Sequence, residues 1–402
     1  MEIEKLYIYP IKSMRAVEVP SATLTKYGFP YDRTFLVLHP TEEDGVPTFK
    51  NISIAPNNEI VRFWQAIDFS TNTLTVTHKP ASGGDEKSID IPLEPDTSNL
   101  KVIDVLMHKS PTQAYQMDSK YNTFLSTCLG YDVVLAYIGD YKREVRMSAL
   151  GYKAGTSNPN TNSGSSWLST LTSAATSASN MLTGGSTPAP SSITFSDVAP
   201  YLIVSSKSMD SVRSRLPEGE QDYDILKFRP NIVVKGASAV WEEDFWAQLT
   251  ISDKAKLECE HNCNRCRSIN IDYDTGAQGT SEAGSMLKKL ASDRRVDVGA
   301  KWSPVFGRYG FLGAGSEGVE VGVGEEVVVS RRNEGHTAFG IEYFAWGWEE
   351  LVSGTEKVVA MMDQNWGGFQ GTQYGKWQSR SYSGDDDMNA RLTYTLQSYI
   401  FV

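Results

Sequence analysis

The sequence predicts a β-rich α+β fold built from barrels or sandwiches, and three observations carry that reading. Short apolar runs of strand length recur through both halves of the chain. Gly, Pro, Asn and Asp bound most of them, as strand ends require. Helical periodicity is sparse and does not alternate with the strands, which argues against a doubly wound parallel sheet. The 402 residues are 40% hydrophobic and 11% aromatic, enough for a proper core.

The elements follow in order. "MEIEKLYIYPIKS" (1–13) reads as a strand entering a turn. "TFLVLHP" (34–40) is an apolar run ended by proline, and "NTLTVTHKP" (72–80) puts Leu74, Val76 and His78 on one face of a half-buried strand. "YNTFLSTCLGYDVVLAYI" (121–138) reads as a helix ending near Gly130, with Cys128 as a buried core thiol, followed by a strand. These belong to a first domain, residues 1–150. Residues 151–195 are a low-complexity linker; from 154 to 195 there is no Asp, Glu, Lys or Arg.

Residues 196–335 form a second strand-rich domain. "NIVVKG" (231–236), "AQLTIS" (247–252) and "AKLECE" (255–260) are successive strands, and "SMLKKLASDRR" (285–295) suits a short helix. "GVEVGVGEEVVVS" (318–330) alternates Val319, Val321 and Val323, turns at Gly324 and gives another strand. Residues 336–402 hold four of the nine tryptophans without clear periodicity, a tail whose fold the sequence does not specify.

Net charge is −11, and a polyanion-binding chain of this size would be basic, so nucleic acid is not an expected partner. No signal peptide and no run near ~18 apolar residues appears. Four cysteines are too few for a disulfide scaffold, so the expected compartment is intracellular and reducing.

Three of those cysteines fall in "CEHNCNRCRSINIDYDTG" (259–276). Cys259, Cys263 and Cys266 have the C-x3-C-x2-C spacing of an iron–sulfur motif, but the surrounding βα alternation is missing. Three Cys plus His261 fit a zinc site, but no second knuckle is present. Incidental thiols are a third reading. The favoured one makes a single thiolate a metal ligand, with Arg265 lowering a neighbouring thiol pKa. "DYDTG" then closes a turn through Asp and Gly276.

Four separated segments together resemble the MOSC family, named for the C-terminal domain of molybdenum cofactor sulfurase, with its usual N-terminal MOSC barrel. They are "YIYPIKSMRAVEV" (7–19), "YDRTFLVL" (31–38), "KFRPNIVV" (227–234) and "CNRCRSINIDYDTG" (263–276). "SPVFGRYG" (303–310) and "VEVGVGEEVVV" (319–329) extend the likeness to residues 3–335, without the insert. The pattern is most like the amidoxime-reducing branch. The resemblance implies an N-terminal MOSC β-barrel-like domain followed by a MOSC β-barrel domain. Two departures stand out: the family's VDPDTG is "IDYDTG" here, and its SDxSP-like segment is "SDVAP" (196–200), with Ala199 where a hydroxyl is usual.

By that resemblance the chain binds a mononuclear molybdenum cofactor with Cys266 as the metal ligand. Lys12, Ser13 and Arg33 would contact the pterin and its phosphate, with Arg229, Asn231, Asn264 and Arg265 beside them; forked guanidinium donors and lysine charge suit a phosphate. Asp272 or Asp274 would relay protons. The implied activity is reduction of small N-hydroxylated substrates, with electrons from a cytochrome b5-type donor. A cofactor carrier or sulfur-transfer protein is the alternative. The sulfurases fuse this domain to a pyridoxal-phosphate desulfurase, for which these residues hold no counterpart. The implied location is cytoplasmic or mitochondrion-associated, without a transmembrane segment.

Within the insert, Trp167, Leu168, Leu171, Ala174, Ala175, Ala178, Met181 and Leu182 recur at helical spacing against a Ser/Thr face. That pattern makes residues 165–184 a candidate for weak, reversible membrane contact, against a plain linker as the alternative.

Overall fold

The computed structural model describes residues 1–43, 45–145 and 192–339. The apolar stripe at 165–184 and nearly all of the tryptophan-rich tail lie outside the described residues.

The largest sheet has eight strands. In spatial order they are Val17–Val19, Glu2–Ile8, Ile232–Lys235, Tyr201–Ser205, Val305–Leu312, Ala255–Asn264, Trp246–Ile251 and Val327–Arg332. All neighbours are antiparallel except Tyr201–Ser205 with Ile232–Lys235. The sheet curls back on itself. Ile3 N donates to Glu325 O at 2.9 Å, Val327 N donates to Met1 O at 2.8 Å, and Glu2 bridges Glu326. Closure removes the exposed edges an open sheet would carry. The first strand of the chain is thus a stave of the second barrel.

Alternation assigns the faces. Ile203, Ile232 and Val234 join Ile3, Leu6, Trp246, Leu249 and Leu257 in one core. Val204 and Val233 point the other way, onto Tyr7, Phe228, Phe306 and the helices Ser206–Arg213 and Met286–Ala291. Ile3 and Leu6 are three apart yet share a core because the register shifts between Ile3 and Lys5.

A five-stranded antiparallel sheet follows the order Val46–Asn51, Phe35–Glu43, Val134–Tyr137, Ser110–Gln116 and Lys101–Met107. Asn51 Nδ2 donates to Leu106 O at 3.1 Å, which ties its two outer strands together in a nearly closed barrel. The helix Ser119–Leu129 lays Tyr121, Leu125 and Leu129 on its core, as does the meander Phe63–Asp68, Thr73–His78 and Lys87–Pro92. Ile271 and Tyr273, just beyond the cysteine cluster, enter this same core. The loop that carries Cys266 is therefore anchored at the junction of the two barrels.

Three local expectations change. The helix expected over 285–295 spans only Met286–Ala291, because Arg294 turns inward to an ion pair with Asp244 at 2.6 Å. Cys128 is half-buried at the helix edge. Of Val319, Val321 and Val323 only Val321 is fully buried, since the strand stops at Gly322 before the turn.

Candidate functional site

A cleft opens where the end of the strand Ala255–Asn264 meets the turn before Ile232–Lys235. Its lining includes Arg33, Ser196, Asp197, Lys227, Arg229, Asn231, Cys263, Asn264, Arg265, Cys266, Ser268 and Tyr309.

The three clustered thiols have different environments. Cys266 caps the one-turn helix Arg267–Asn270 with extended backbone; it is exposed, with Sγ 3.3 Å from Ser268 Oγ. Ile269, the buried residue of that helix, pins it. Cys263 is buried beside Tyr309, and burial raises its thiol pKa. Cys259 lies in the barrel core, where burial pushes its thiol up to about 12. Cys263 and Cys266 both line the cleft, and Cys266 is the one of the two that is exposed. Among the described residues no three His, Cys, Asp or Glu side chains converge as a metal cage.

The basic residues divide by how far they are already committed. Arg265 donates to Phe306 O from Nε at 2.8 Å and Nη2 at 2.6 Å, and to Phe228 O from Nη1 at 2.8 Å. It acts as a buried clamp on the cleft wall. Arg33 donates to Asp32 Oδ2 at 2.6 Å and Asn231 Oδ1 at 3.0 Å. Asn231 also accepts from Leu202 N and donates to Tyr7 O, each at 3.2 Å, so its carbonyl oxygen holds two donors and its amide nitrogen is tied to the first strand. Arg229 has left-handed backbone (φ 57°) after the short helix Ile225–Phe228, and its Nη1 donates to Met14 O at 2.8 Å. The Arg33 and Arg229 guanidinium carbons each lie 4.3 Å from the Tyr9 ring centroid. Burial lowers the pKa of Lys227, with Asp272 opposing it.

Lys12 stands behind the wall. Its Nζ donates to Phe195 O at 3.0 Å and pairs with Asp197. Ser13 is buried with φ 74°, and its Oγ donates to Ile52 O at 3.2 Å, outside the cleft lining. Asp272 and Asp274 are not brought to the cleft. Asp272 Oδ1 accepts from Asp274 N at 2.8 Å and Thr275 N at 3.0 Å, a turn-capping pattern. Asp274 is 95% exposed and lies 3.7 Å from Arg15.

Sequence reasoning did not single out Asp197, Lys227, Ser268 or Tyr309. Each sits within a segment quoted for other residues, so position beside the named sites was the available signal.

The donor set fits an anionic organic cofactor with a thiolate-held metal. Arg229 Nη2 and Asn264 Oδ1 are buried polar atoms without a hydrogen-bond partner among the described residues, and both residues line the cleft. Such orphans cost free energy unless a ligand satisfies them. They offer one donor and one acceptor beside the Cys266 thiol.

Residues 1–132 match the family model of the MOSC N-terminal beta barrel domain, and residues 190–328 match that of the MOSC domain. Human mitochondrial amidoxime-reducing component 1 is 37% identical over 121 residues, covering 29% of this chain and 34% of that protein. Molybdenum cofactor sulfurase of Oryza sativa subsp. japonica is 26% identical over 301 residues, covering 73% of this chain and 31% of that protein. The sulfurase of Aspergillus niger is 24% identical over 331 residues, covering 74% of this chain and 38% of that protein. The chain thus spans about a third of the length of these curated relatives.

Proposed function

This chain belongs to the MOSC proteins, with a MOSC N-terminal β-barrel domain joined to a MOSC domain, and on that premise we propose that it is a molybdenum-cofactor-dependent reductase of N-hydroxylated compounds. The observation that carries the reading is Cys266, the one exposed thiol of four, in a cleft lined by Arg33, Lys227 and Arg229.

The cofactor, when bound, would supply oxygen-atom abstraction from an N–OH group coupled to a two-electron change at its metal. The chain's own residues do the holding. Cys266 would bind the metal as thiolate. Arg229 Nη2 would donate to an anionic oxygen and Asn264 Oδ1 would accept from a pterin N–H, which satisfies both orphaned atoms. Arg33 and Lys227 add charge. Arg265 acts at one remove, keeping the Cys266 loop against the barrel through its carbonyl bonds. Electrons would come from a cytochrome b5-type donor, and the setting would be cytoplasmic or mitochondrion-associated. Among the described residues no helix is long and apolar enough to cross a membrane.

A cofactor carrier or sulfur-transfer role is the second reading, favoured by the sulfurase likeness spanning 73% of the chain against 29% for the amidoxime-reducing component. Metal analysis followed by benzamidoxime reduction with an artificial electron donor separates the two. The reductase retains molybdenum and turns over; a carrier retains molybdenum and does not. Cys266→Ser should lose molybdenum and activity while Cys263→Ser keeps both. The reverse pattern, or stoichiometric zinc or iron in place of molybdenum, would overturn the reading.

A further inference from the structure

Among the described residues, Asp197 is the one acidic side chain lining a cleft whose other charged groups are Arg33, Lys227, Arg229 and Arg265. Its Oδ1 is occupied by Lys12 Nζ and by His108 Nε2 at 3.1 Å. Among the described residues no hydrogen bond reaches Oδ2, and the side chain is 55% exposed. Its backbone is fixed from behind. The buried Arg143 donates to the carbonyls of Ser196 and Asp197, and also to Met107 O at 3.1 Å, next to His108. Asp197 is therefore held on the cleft lining through its backbone and Oδ1, with Oδ2 free of hydrogen bonds among the described residues.

We propose that Asp197 selects the substrate, its open Oδ2 accepting hydrogen bonds from the N–H groups of amidoximes, N-hydroxyguanidines and related compounds. The inference rests on the reductase reading, since it names that reaction's substrate class. The charge state agrees. Desolvation works against ionisation, yet Lys12 and His108 outweigh it and hold the carboxyl well below its usual range, so it is an acceptor at neutral pH. An anionic cofactor needs the arginines and the lysine but gains nothing from this carboxylate. A substrate carrying an amino group beside its N–OH does gain, through a charge-assisted bond.

The test uses the cofactor-loaded protein and two N-hydroxy substrates: benzamidoxime, which has an adjacent amino group, and N-methyl-N-phenylhydroxylamine, which has none. Asp197→Asn should lower kcat/KM for benzamidoxime about tenfold or more, mostly through KM, the size expected for a lost charge-assisted bond. The loss for the second substrate should stay below about twofold, the change expected when no such bond is at stake. Equal losses for both would overturn the proposal, because a merely structural role cannot change the ratio. A second measurement needs no variant and no turnover. The wild-type protein should bind benzamidine about tenfold more tightly than its N,N,N′,N′-tetramethyl analogue, which keeps the charge but has no N–H donor. Equal affinities, or no benzamidine binding, would overturn the assignment even if Asp197→Asn sheds its cofactor. Should the reductase reading itself fail, neither substrate is turned over by the wild type, and the benzamidine comparison still decides the role of Asp197.

Discussion

Arg229 and Arg265 line one cleft but differ in what their removal leaves behind. Arg265 satisfies two main-chain carbonyls with three donors, and each charge-assisted bond contributes about 1.5–3 kcal/mol. Arg265→Ala should therefore cost the apoprotein at least about 3 kcal/mol in urea unfolding, since the carbonyls are left orphaned. Arg229 makes one bond to Met14 O and leaves Nη2 open, so Arg229→Ala should cost the apoprotein only that one bond, about 1.5–3 kcal/mol and less than Arg265→Ala, yet abolish pterin retention. A stable Arg265→Ala, or full pterin in Arg229→Ala, would reverse these roles. The thiols sort the same way. Iodoacetamide on the native apoprotein should label Cys266 first by peptide mass, with Cys259 and Cys263 protected until unfolding, because burial raises both buried thiols. The motif around Cys266 was legible in the sequence, including the nearness of Arg265. That its guanidinium is committed to main-chain carbonyls was not legible. Its partners, Phe228 and Phe306, are 37 and 41 residues distant, and only the barrel brings them together.

At the scale of elements, the short strands were readable because alternation and turn residues are local signals, whereas their partners were not. Glu2–Ile8 looks like the opening of the first domain, but it pairs with Ile232–Lys235 and completes the other barrel's seam through Glu325 and Val327. Its buried Ile3, Leu6 and Ile8 then belong to the second core. Deletion of residues 1–8 should therefore unfold the second domain as well as the first, seen as lost protection of the strand Val327–Arg332 in hydrogen exchange. Gly307 shows a similar dependence within the strand Val305–Leu312. Its φ is +87°, and an added Cβ would sit 2.8 Å from Val204 Cγ1 and 3.2 Å from Arg265 Nη2. Gly307→Ala should cost about 1–3 kcal/mol from the backbone alone and also displace the Arg265 clamp. Unchanged stability with intact cofactor retention would show that the wall tolerates that shift.

Across the whole molecule, the net charge of −11 hides ionisable groups buried as neutral species, and two of them act against each other as pH changes. Glu243 is fully buried in the turn Glu242–Phe245, with Oε2 accepting from Ser208 Oγ at 2.7 Å, and burial raises its pKa from 4.5 to about 7. Between those values the folded state holds the proton and the unfolded state does not, so stability falls as pH rises. His261 is buried in the strand Ala255–Asn264, and burial followed by Arg308 lowers its pKa from 6.5 to about 4. There the unfolded state holds the extra proton, so stability rises with pH from about 4 to 6.5. One proton held by only one of the two states changes stability by about 1.4 kcal/mol for each pH unit, so the two slopes nearly cancel where the windows overlap, from 4.5 to 6.5. Glu243→Gln removes the falling slope and keeps the neutral shape. Relative to wild type, its unfolding free energy should climb by about 3 kcal/mol between pH 4.5 and 6.5 in urea titrations. A difference that stays constant across that range would mean Glu243 is ionised in the folded chain, and that Arg294 and Ser208 stabilise its charge despite its burial.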